Sequence, residues 1–216
     1  MNRALATGIA LAATGLTVVP IADGAKPPTQ NKSLTVAAAP NPVVFGRVIS
    51  VSGRLSGSNH AGQTVSLQSD PYPYDRYAAV GTAVTGSHSD VAFSQRPQVN
   101  TRYKLRQGPT ESIVLNVLVR YRVSLGVSDS TPLAGRRVRF SGRACPTHDG
   151  GAVAIQRRTS TGAWRTAKRT TLRSATRCST YAARLRVRRD ATYRTAVAGD
   201  AGHARGISAP RRIDVH

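Results

Sequence analysis

The chain has 216 residues and a formal net charge of +21, yet only 5% of its residues are aromatic. With few aromatic side chains to stack on bases and no pattern typical of a recognition helix, the chain is not expected to recognise nucleic acid by sequence. A single glutamate, Glu111, the lack of a Gly-x-Ser-x-Gly motif and histidines without metal-ligand spacing argue against an enzyme, a metal or a cofactor.

The first 24 residues are predicted to be a secretory signal peptide. Arg3 supplies the positive start, residues 4–21 are uncharged and largely apolar, and Ala22-Asp23-Gly24 fits a cleavage site. The alternative is an uncleaved membrane anchor, because an apolar stretch of about 18 residues is just long enough to span a bilayer. Residues 25–33 are polar and contain two prolines, which predicts a flexible leader.

After the leader, the chain repeats itself at an offset of about 89 residues. Three segments recur in the same order: Gly46–Arg54 as Gly135–Arg143, Gly62–Gln68 as Gly150–Gln156, and Asn100–Tyr103 as Asp190–Tyr193. A period this long corresponds to a whole domain rather than to a solenoid unit. The repeat therefore predicts two copies of one small β domain, at residues 34–119 and 120–216.

Alternating apolar residues, interrupted by turn residues every 8–12 positions, predict seven strands in each copy. In the first copy the predicted strands are 34–38, 47–55, 63–69, 76–84, 90–95, 102–107 and 112–119. In the second they are 121–128, 136–144, 152–159, 163–172, 180–187, 192–198 and 206–215. Residues 117–121 between the copies include neither Gly nor Pro, which predicts a short and stiff linker.

Strand parity in the second copy separates apolar residues from arginines. The predicted inward residues are Tyr121, Val123, Leu125, Val127, Val138, Phe140, Tyr181, Ala183, Leu185 and Val187. Cys145 and Cys178 fall at outward positions, at the end of the second strand and the start of the fifth. Those strands are antiparallel neighbours in a seven-stranded sandwich, and an exported chain with two cysteines most simply forms one disulfide.

Aromatic residues add a family resemblance to this pattern. Tyr103 and Tyr193 each open the sixth strand after a polar turn, as in a tyrosine corner, and Trp164 on the fourth strand matches Tyr77. With the Val-x-Val/Phe-Ser-Gly-Arg motif, the chain resembles the tandem immunoglobulin-like or fibronectin-like repeats of secreted and surface proteins of bacteria. The resemblance implies a structural, adhesive or spacer module, and a tyrosine hydroxyl bonded to the turn backbone.

Charge differs sharply between the two copies. Residues 34–118 hold seven Lys and Arg and four Asp and Glu, whereas residues 119–216 hold twenty-one Lys and Arg and five Asp. Seven arginines are predicted to share the outer face of one sheet: Arg122, Arg137, Arg139, Arg143, Arg184, Arg186 and Arg188. Like charges on neighbouring strands are unfavourable, so such a face favours a polyanionic partner. The alternative is a solvated face that reflects a compositional bias towards arginine.

A second candidate surface is the loop Asp70–Tyr77, in which Tyr72, Tyr74 and Tyr77 alternate with prolines and charged residues. A rigid aromatic loop is suited to contact sugar rings or a partner protein. The alternative is local packing over the end of the sandwich. Asp70, Asp75 and Asp90 are too sparse to predict a calcium site.

The sequence thus predicts an all-β protein of two tandem seven-stranded immunoglobulin-like β-sandwiches after a signal peptide. The leading functional interpretation is a non-catalytic, secreted or surface-associated module whose second domain holds anionic cell-envelope polymers or acidic polysaccharide. The alternative is a passive structural or adhesion module that contacts another protein, with its charge incidental.

Overall fold

Alternating apolar residues build two β-sandwiches from residues 31–216, which is the part of the chain that the computed structural model describes. The predicted signal peptide and residues 25–30 of the predicted leader lie outside these residues. Ser33, the last residue of that leader, already belongs to the first strand. Within residues 31–216 every regular element is a strand, and none is a helix.

Eleven strands run from the start of the described chain to the point between the sandwiches. They are β1 (Ser33–Leu34), β2 (Ala37–Ala39), β3 (Val43–Val44), β4 (Ile49–Ser56), β5 (Thr64–Pro71), β6 (Ala78–Val84), β7 (Asp90–Gln95), β8 (Thr101–Gln107), β9 (Thr110–Glu111), β10 (Leu115–Val117) and β11 (Val119–Arg120). The second sandwich contains β12 (Arg122–Val123), β13 (Gly126–Val127), β14 (Arg137–Cys145), β15 (Ala152–Arg158), β16 (Trp164–Thr171), β17 (Ser179–Arg186), β18 (Ala191–Val197), β19 (Gly206–Ile207) and β20 (Arg211–Ile213).

The two sandwiches share one topology. In the first, β4 lies between β7 and the short strands β1 and β2, and the facing sheet has β8 between β5 and the short strands β9 and β10, with β6 at the edge. In the second, β14 lies between β17 and the short strands β12 and β13, and the facing sheet has β18 between β15 and the short strands β19 and β20, with β16 at the edge. The first and last strands of each sandwich are thus split, and the fourth pairs with the third. This confirms the predicted fold class.

Equivalent positions of the two repeats fill the two cores. Val51 and Leu67 are fully buried in the first sandwich, and Phe140 and Ile155 take the same places in the second. Burying one such side chain contributes about 1.5–3 kcal/mol. The repeated sequence pattern is therefore the pattern of a repeated core.

The glycine of the repeated Ser-Gly-Arg motif permits a close approach between strands. A Cβ on Gly53 would overlap the carbonyl oxygen of Thr35, and a Cβ on Gly142 would overlap that of Ser124. On Gly142 it would also lie 2.6 Å from the hydroxyl of Tyr181. The split first strand of each sandwich therefore packs where only glycine leaves room.

We expect Gly142→Ala to lower the free energy of unfolding by about 1–3 kcal/mol, because the neighbouring backbone must move to admit the methyl group. Chemical denaturation measures this loss. Gly126→Ala is the matched control, since its Cβ would meet only the carbonyl oxygen of Ser141, at 3.7 Å. Equal effects of the two substitutions would show that the close approach at Gly142 is not what matters.

An extended segment joins the sandwiches and is bound on both sides. β11 pairs in parallel with β3 of the first sandwich. On its other side, the amide of Ala204 donates to the carbonyl oxygen of Val119 at 2.8 Å, and the amide of Tyr121 donates to that of Ala204 at 3.2 Å. Backbone pairing therefore fixes this segment.

Asn100, only 6% exposed, ties the first sandwich to the loop between β18 and β19. Its amide nitrogen Nδ2 donates to the carbonyl oxygen of Ala201 at 3.1 Å, and its Oδ1 accepts from the amide of Val119 at 2.8 Å. Its backbone amide donates to Gly202 at 2.8 Å. Asn100 thus connects the first sandwich with β11 and with the β18–β19 loop, and we call these three segments the junction between the sandwiches.

Tyr121 fills the space beside this loop. Its ring lies 4.7 Å from the ring of His148 and 4.8 Å from that of His203, and its hydroxyl donates to the carboxylate of Asp200. Burial and this hydrogen bond raise the pKa of Tyr121. Partial burial opposes ionisation of Asp200, but the hydrogen bonds from Tyr121 and the His203 amide hold its pKa below the ordinary value.

Candidate functional site

Four of the predicted arginines form two directly opposed pairs on the outer face of the β14–β17 sheet. Arg137 lies opposite Arg186, and Arg139 lies opposite Arg184. All four are exposed, while the residues that alternate with them face the core. Opposed Cβ atoms of an antiparallel pair are about 4.5–5.5 Å apart, and successive rows on one face are about 6.7 Å apart. We call these four residues, with the other three predicted arginines, the Arg face.

The other three arginines extend the Arg face along the strands rather than adding to the two rows. Arg143 continues along β14 and lies opposite Thr180. Arg122 lies opposite Cys145 at the far end of the sheet, and Arg188 follows the last residue of β17 at the other end. The structure therefore gathers four arginines tightly and spreads three.

No acidic residue of the described chain forms an ion pair with the Arg face. In residues 31–216, the lysine and arginine residues that form ion pairs are Arg54, Lys104, Arg106 and Arg212, and none of them belongs to the Arg face. Opposed like charges destabilise a strand pair, and two such pairs lie next to each other here. The Arg face is thus an electrostatic cost to the fold.

The first sandwich shows that the fold does not need these charges. At the positions equivalent to Arg139 and Arg184, Ser50 lies opposite Ser94. Two pairs further along this face, where the second sandwich has Arg143, Arg54 is compensated by Asp90 at 3.3 Å. A compositional bias would act on both halves of one chain, so the difference favours a role for the second half.

Arg173 joins the Arg face although strand parity did not select it. It lines a shallow depression of about 750 Å³ together with Arg139, Arg143 and the hydroxyl-bearing Ser141 and Thr180. Arg173 precedes β17 and reaches this position through backbone hydrogen bonds with Thr180, at 2.7 and 2.9 Å. Its place depends on this loop pairing, which leaves no periodic signal in the sequence.

The loop Asp70–Tyr77 packs on its own sandwich and against Gly202 of the second sandwich. The guanidinium of Arg102 lies over the ring of Tyr74, 4.1 Å from its centroid, and the ammonium of Lys104 lies over the ring of Tyr77, 4.6 Å from its centroid. Tyr72 is 41% exposed, and one edge of its ring lies beside Gly202. Two of the three tyrosine faces are thus occupied, which favours the packing interpretation of this loop.

The predicted structural aromatics are packed, but the tyrosine corner differs from its expected form. Tyr103 and Tyr193 are 3% and 4% exposed, and Trp164 is half-buried under the guanidinium of Arg194 at 4.2 Å. Within residues 31–216 neither Tyr103 nor Tyr193 donates its hydroxyl to the turn backbone, so that expectation is wrong. Tyr181 makes such a bond instead, to the carbonyl oxygen of Ser124 at 2.7 Å. Burial raises the pKa of Tyr181 to about 12.

The disulfide Cys145–Cys178 is present and lies within one sheet, as predicted. It follows directly after the last pair of the β14–β17 ladder, Ala144 opposite Ser179, and its Cα atoms are 4.4 Å apart. Cys145 is only 5% exposed, although its strand position predicts an outward side chain. It is covered because β12 pairs beside it and Cys178 bonds to it.

His148 and His203 lie where the two sandwiches meet, beside Tyr121 and Asp200. In the described part of the chain, no group of three His, Cys, Asp or Glu side chains is placed to hold a metal ion. His148 lies 3.4 Å from the carboxylate of Asp200, not beside its sequence neighbour Asp149, which accepts from Ser179. Over the same residues, no helix has the length and apolar character needed to cross a membrane.

Comparisons with known proteins find a weak similarity in structure and none in sequence. No family model matches it, and no curated protein matches its sequence. It is similar to a solved structure described as the D0-D1 domain of Intimin, with a TM-score of 0.32 and 8% identity over 84% of this chain and 97% of that one. Because this TM-score is low, the assignment of two tandem immunoglobulin-like sandwiches is based on the strand order and register described above.

Proposed function

We propose that the protein is a non-catalytic, exported binding module whose second sandwich holds anionic polymers through the Arg face. The observation that carries the proposal is the pair of opposed arginine rows, Arg137 with Arg186 and Arg139 with Arg184, which have no carboxylate partner among residues 31–216. A polyanion would relieve the repulsion between these charges. Its binding would therefore gain both from attraction and from removal of an unfavourable interaction.

The chemistry of the face suits phosphate, sulfate and carboxylate groups. The guanidinium group presents a planar set of N–H donors that matches such oxyanions, and it stays charged at any physiological pH. Rows about 6.7 Å apart would engage successive anionic groups of a flexible polymer. Guanidinium groups do not act as general bases, which is why the proposed module binds without catalysis.

Export is supported by the disulfide and by the sequence of the first 24 residues. Disulfides form and persist in oxidising compartments outside the cytoplasm. In such a place the available polymers are anionic envelope components and acidic polysaccharides. The protein is therefore proposed to work in the extracellular space or at the cell surface.

Salt dependence of binding by the full chain tests this proposal. We expect the affinity for heparin, linear polyphosphate and poly-glutamate to fall steeply as NaCl rises, with a logarithmic slope of roughly −3 to −4 if the four arginines of the two opposed rows each displace a counterion. Fluorescence titration at several salt concentrations measures the slope. Binding that ignores salt, or no binding to any of the three polymers, would favour the passive adhesion module instead.

A further inference from the structure

A basic groove runs along the open edge between the two sheets of the second sandwich. It lies between β16 and β17, the edge strands of the two sheets, and has a volume of about 420 Å³. Five cations line it: Arg157, Arg165, Lys168, Arg184 and Arg186. No Asp or Glu is among its lining residues. We call it the edge groove.

Arg157 forms the inner part of the edge groove. It is half-buried, and it lies opposite Arg165 on one side and opposite Tyr193 on the other. Burial raises the pKa of Tyr193, and the positive charge of Arg157 works against this rise, which places that charge close to the ring. A cation partly withdrawn from water attracts an anion more strongly than a fully solvated one.

The equivalent edge of the first sandwich is nearly uncharged. The pairing registers match Arg157, Arg165 and Lys168 with Ser69, Ala78 and Gly81. They match Arg184 and Arg186 with Ser94 and Arg96. One cation therefore stands where the second sandwich has five. The fold forms this edge without the charges, so their convergence is a property of the second sandwich alone.

The edge groove is continuous with the Arg face. Arg184 and Arg186 belong to both, because β17 is at once the outer row of the face and one wall of the groove. Cations thus follow a path across the strands from β14, over β17, to Arg165 and Lys168 on β16. Arg157 lies between the two walls, where this path reaches the edge groove.

We propose that the edge groove is a phosphate- or sulfate-binding site for a linear polyanion that also lies across the Arg face. The inference rests on the proposed function and names its ligand class. A tetrahedral phosphate or sulfate offers several oxygens and can accept from cations on both walls at once. A planar carboxylate pairs best with a single guanidinium fork and would use this site less.

The test compares two charge-matched variants of the full chain, Arg165→Gln/Lys168→Gln and Arg169→Gln/Arg205→Gln. All four residues are exposed and lie in the second sandwich, but neither Arg169 nor Arg205 lines the edge groove. Lys168 and Arg169 are adjacent on one strand, so the comparison separates position from charge. The probes are long-chain linear polyphosphate, heparin and poly-glutamate, titrated at 0.15 M NaCl.

We expect the groove variant to weaken polyphosphate and heparin binding by about tenfold and to lower the salt slope by roughly one to two, as loss of two phosphate contacts requires. The control variant should change the affinity less than about threefold, because its exposed charges do not line the edge groove and are screened by salt. Poly-glutamate binding should be reduced equally by both variants. Circular dichroism confirms that each variant is folded.

Three results would overturn the inference in distinguishable ways. Equal losses in the groove and control variants, with binding by the unmodified chain intact, would rule out the edge groove as a binding site and leave the Arg face as the proposed one. A selective loss of poly-glutamate in the groove variant would remove the preference for tetrahedral oxyanions. No binding of any probe by the unmodified chain would overturn the proposed function and the edge groove with it.

Discussion

Replacing Arg137, Arg139, Arg184 and Arg186 together by glutamine is expected to weaken heparin binding by about a hundredfold or more at 0.15 M NaCl. Each arginine contributes a charge-assisted hydrogen bond and one displaced counterion, and both are lost at once. The four residues lie in two adjacent rows, so no other part of the Arg face replaces them. Titration with fluorescently labelled heparin measures the change in Kd.

The same fourfold variant is expected to be at least as stable as the unmodified protein. Opposed like charges destabilise neighbouring strands by a few tenths of a kcal/mol to about 1 kcal/mol per pair, and the variant removes two such pairs. Urea denaturation should therefore give an unchanged or higher midpoint. Loss of binding together with retained or increased stability would mark these arginines as functional, since a structural role predicts the opposite sign.

The control removes four exposed arginines outside the Arg face: Arg47, Arg76, Arg169 and Arg205. It has the same net charge as the fourfold variant. We expect it to weaken heparin binding only a few-fold, because exposed charges that do not contact the polymer are screened by salt. If both variants lose binding equally, the net charge of the protein attracts the polymer and the rows have no special role.

The Arg face was predictable because the side-chain period of a strand is two. Once Val138 and Phe140 were assigned to the core, Arg137 and Arg139 had to face outwards, and the same holds for Arg184 and Arg186 around Leu185. Parity alone does not give the register between the strands. Parity places the arginines on one face, but only the pairing shows that each lies directly opposite another.

The edge groove was missed for a physical reason. Arg157 alternates with Gln156 and Arg158 on its strand and so shares the inward parity of Ile155, which normally means a place in the core. At the open edge of a sandwich, however, the space between the sheets opens to solvent, and an inward side chain there lines a groove. Periodicity carries no information about how near a residue lies to that edge.

The contacts at the junction between the sandwiches could not be predicted from the sequence either. Asn100 and Ala201 are hydrogen-bonded although they are 101 positions apart. Nε2 of His203 donates to the carbonyl oxygen of Gln98, 105 positions away. Such contacts between loops follow from how the two sandwiches meet, which no local pattern records. The lack of Gly and Pro in residues 117–121 indicated stiffness, but not the loop that covers this segment.

Cys145→Ala/Cys178→Ala is expected to lower the free energy of unfolding by about 3–4 kcal/mol, the value for a closed loop of 33 residues in the loop-entropy model. Alanine is chosen because a serine hydroxyl at the buried position 145 would need a hydrogen-bond partner. Urea denaturation of the oxidised protein and of the double variant measures the difference. Reduction of the unmodified protein should reproduce most of it.

The matched control is Ser179→Ala, which removes the side-chain hydrogen bonds at the same end of the β14–β17 ladder. The hydroxyl of Ser179 donates to Asp149 and accepts from the amide of His148 at 2.7 Å, so its loss should cost about 1–2 kcal/mol. If this single substitution costs as much as removing the disulfide, hydrogen bonds rather than the covalent link hold the ladder end.

Arg137 and Arg186 lie at the opposite end of the β14–β17 ladder from the disulfide. The double variant should therefore bind heparin normally wherever it remains folded, which separates the stability of the sandwich from the chemistry of its Arg face.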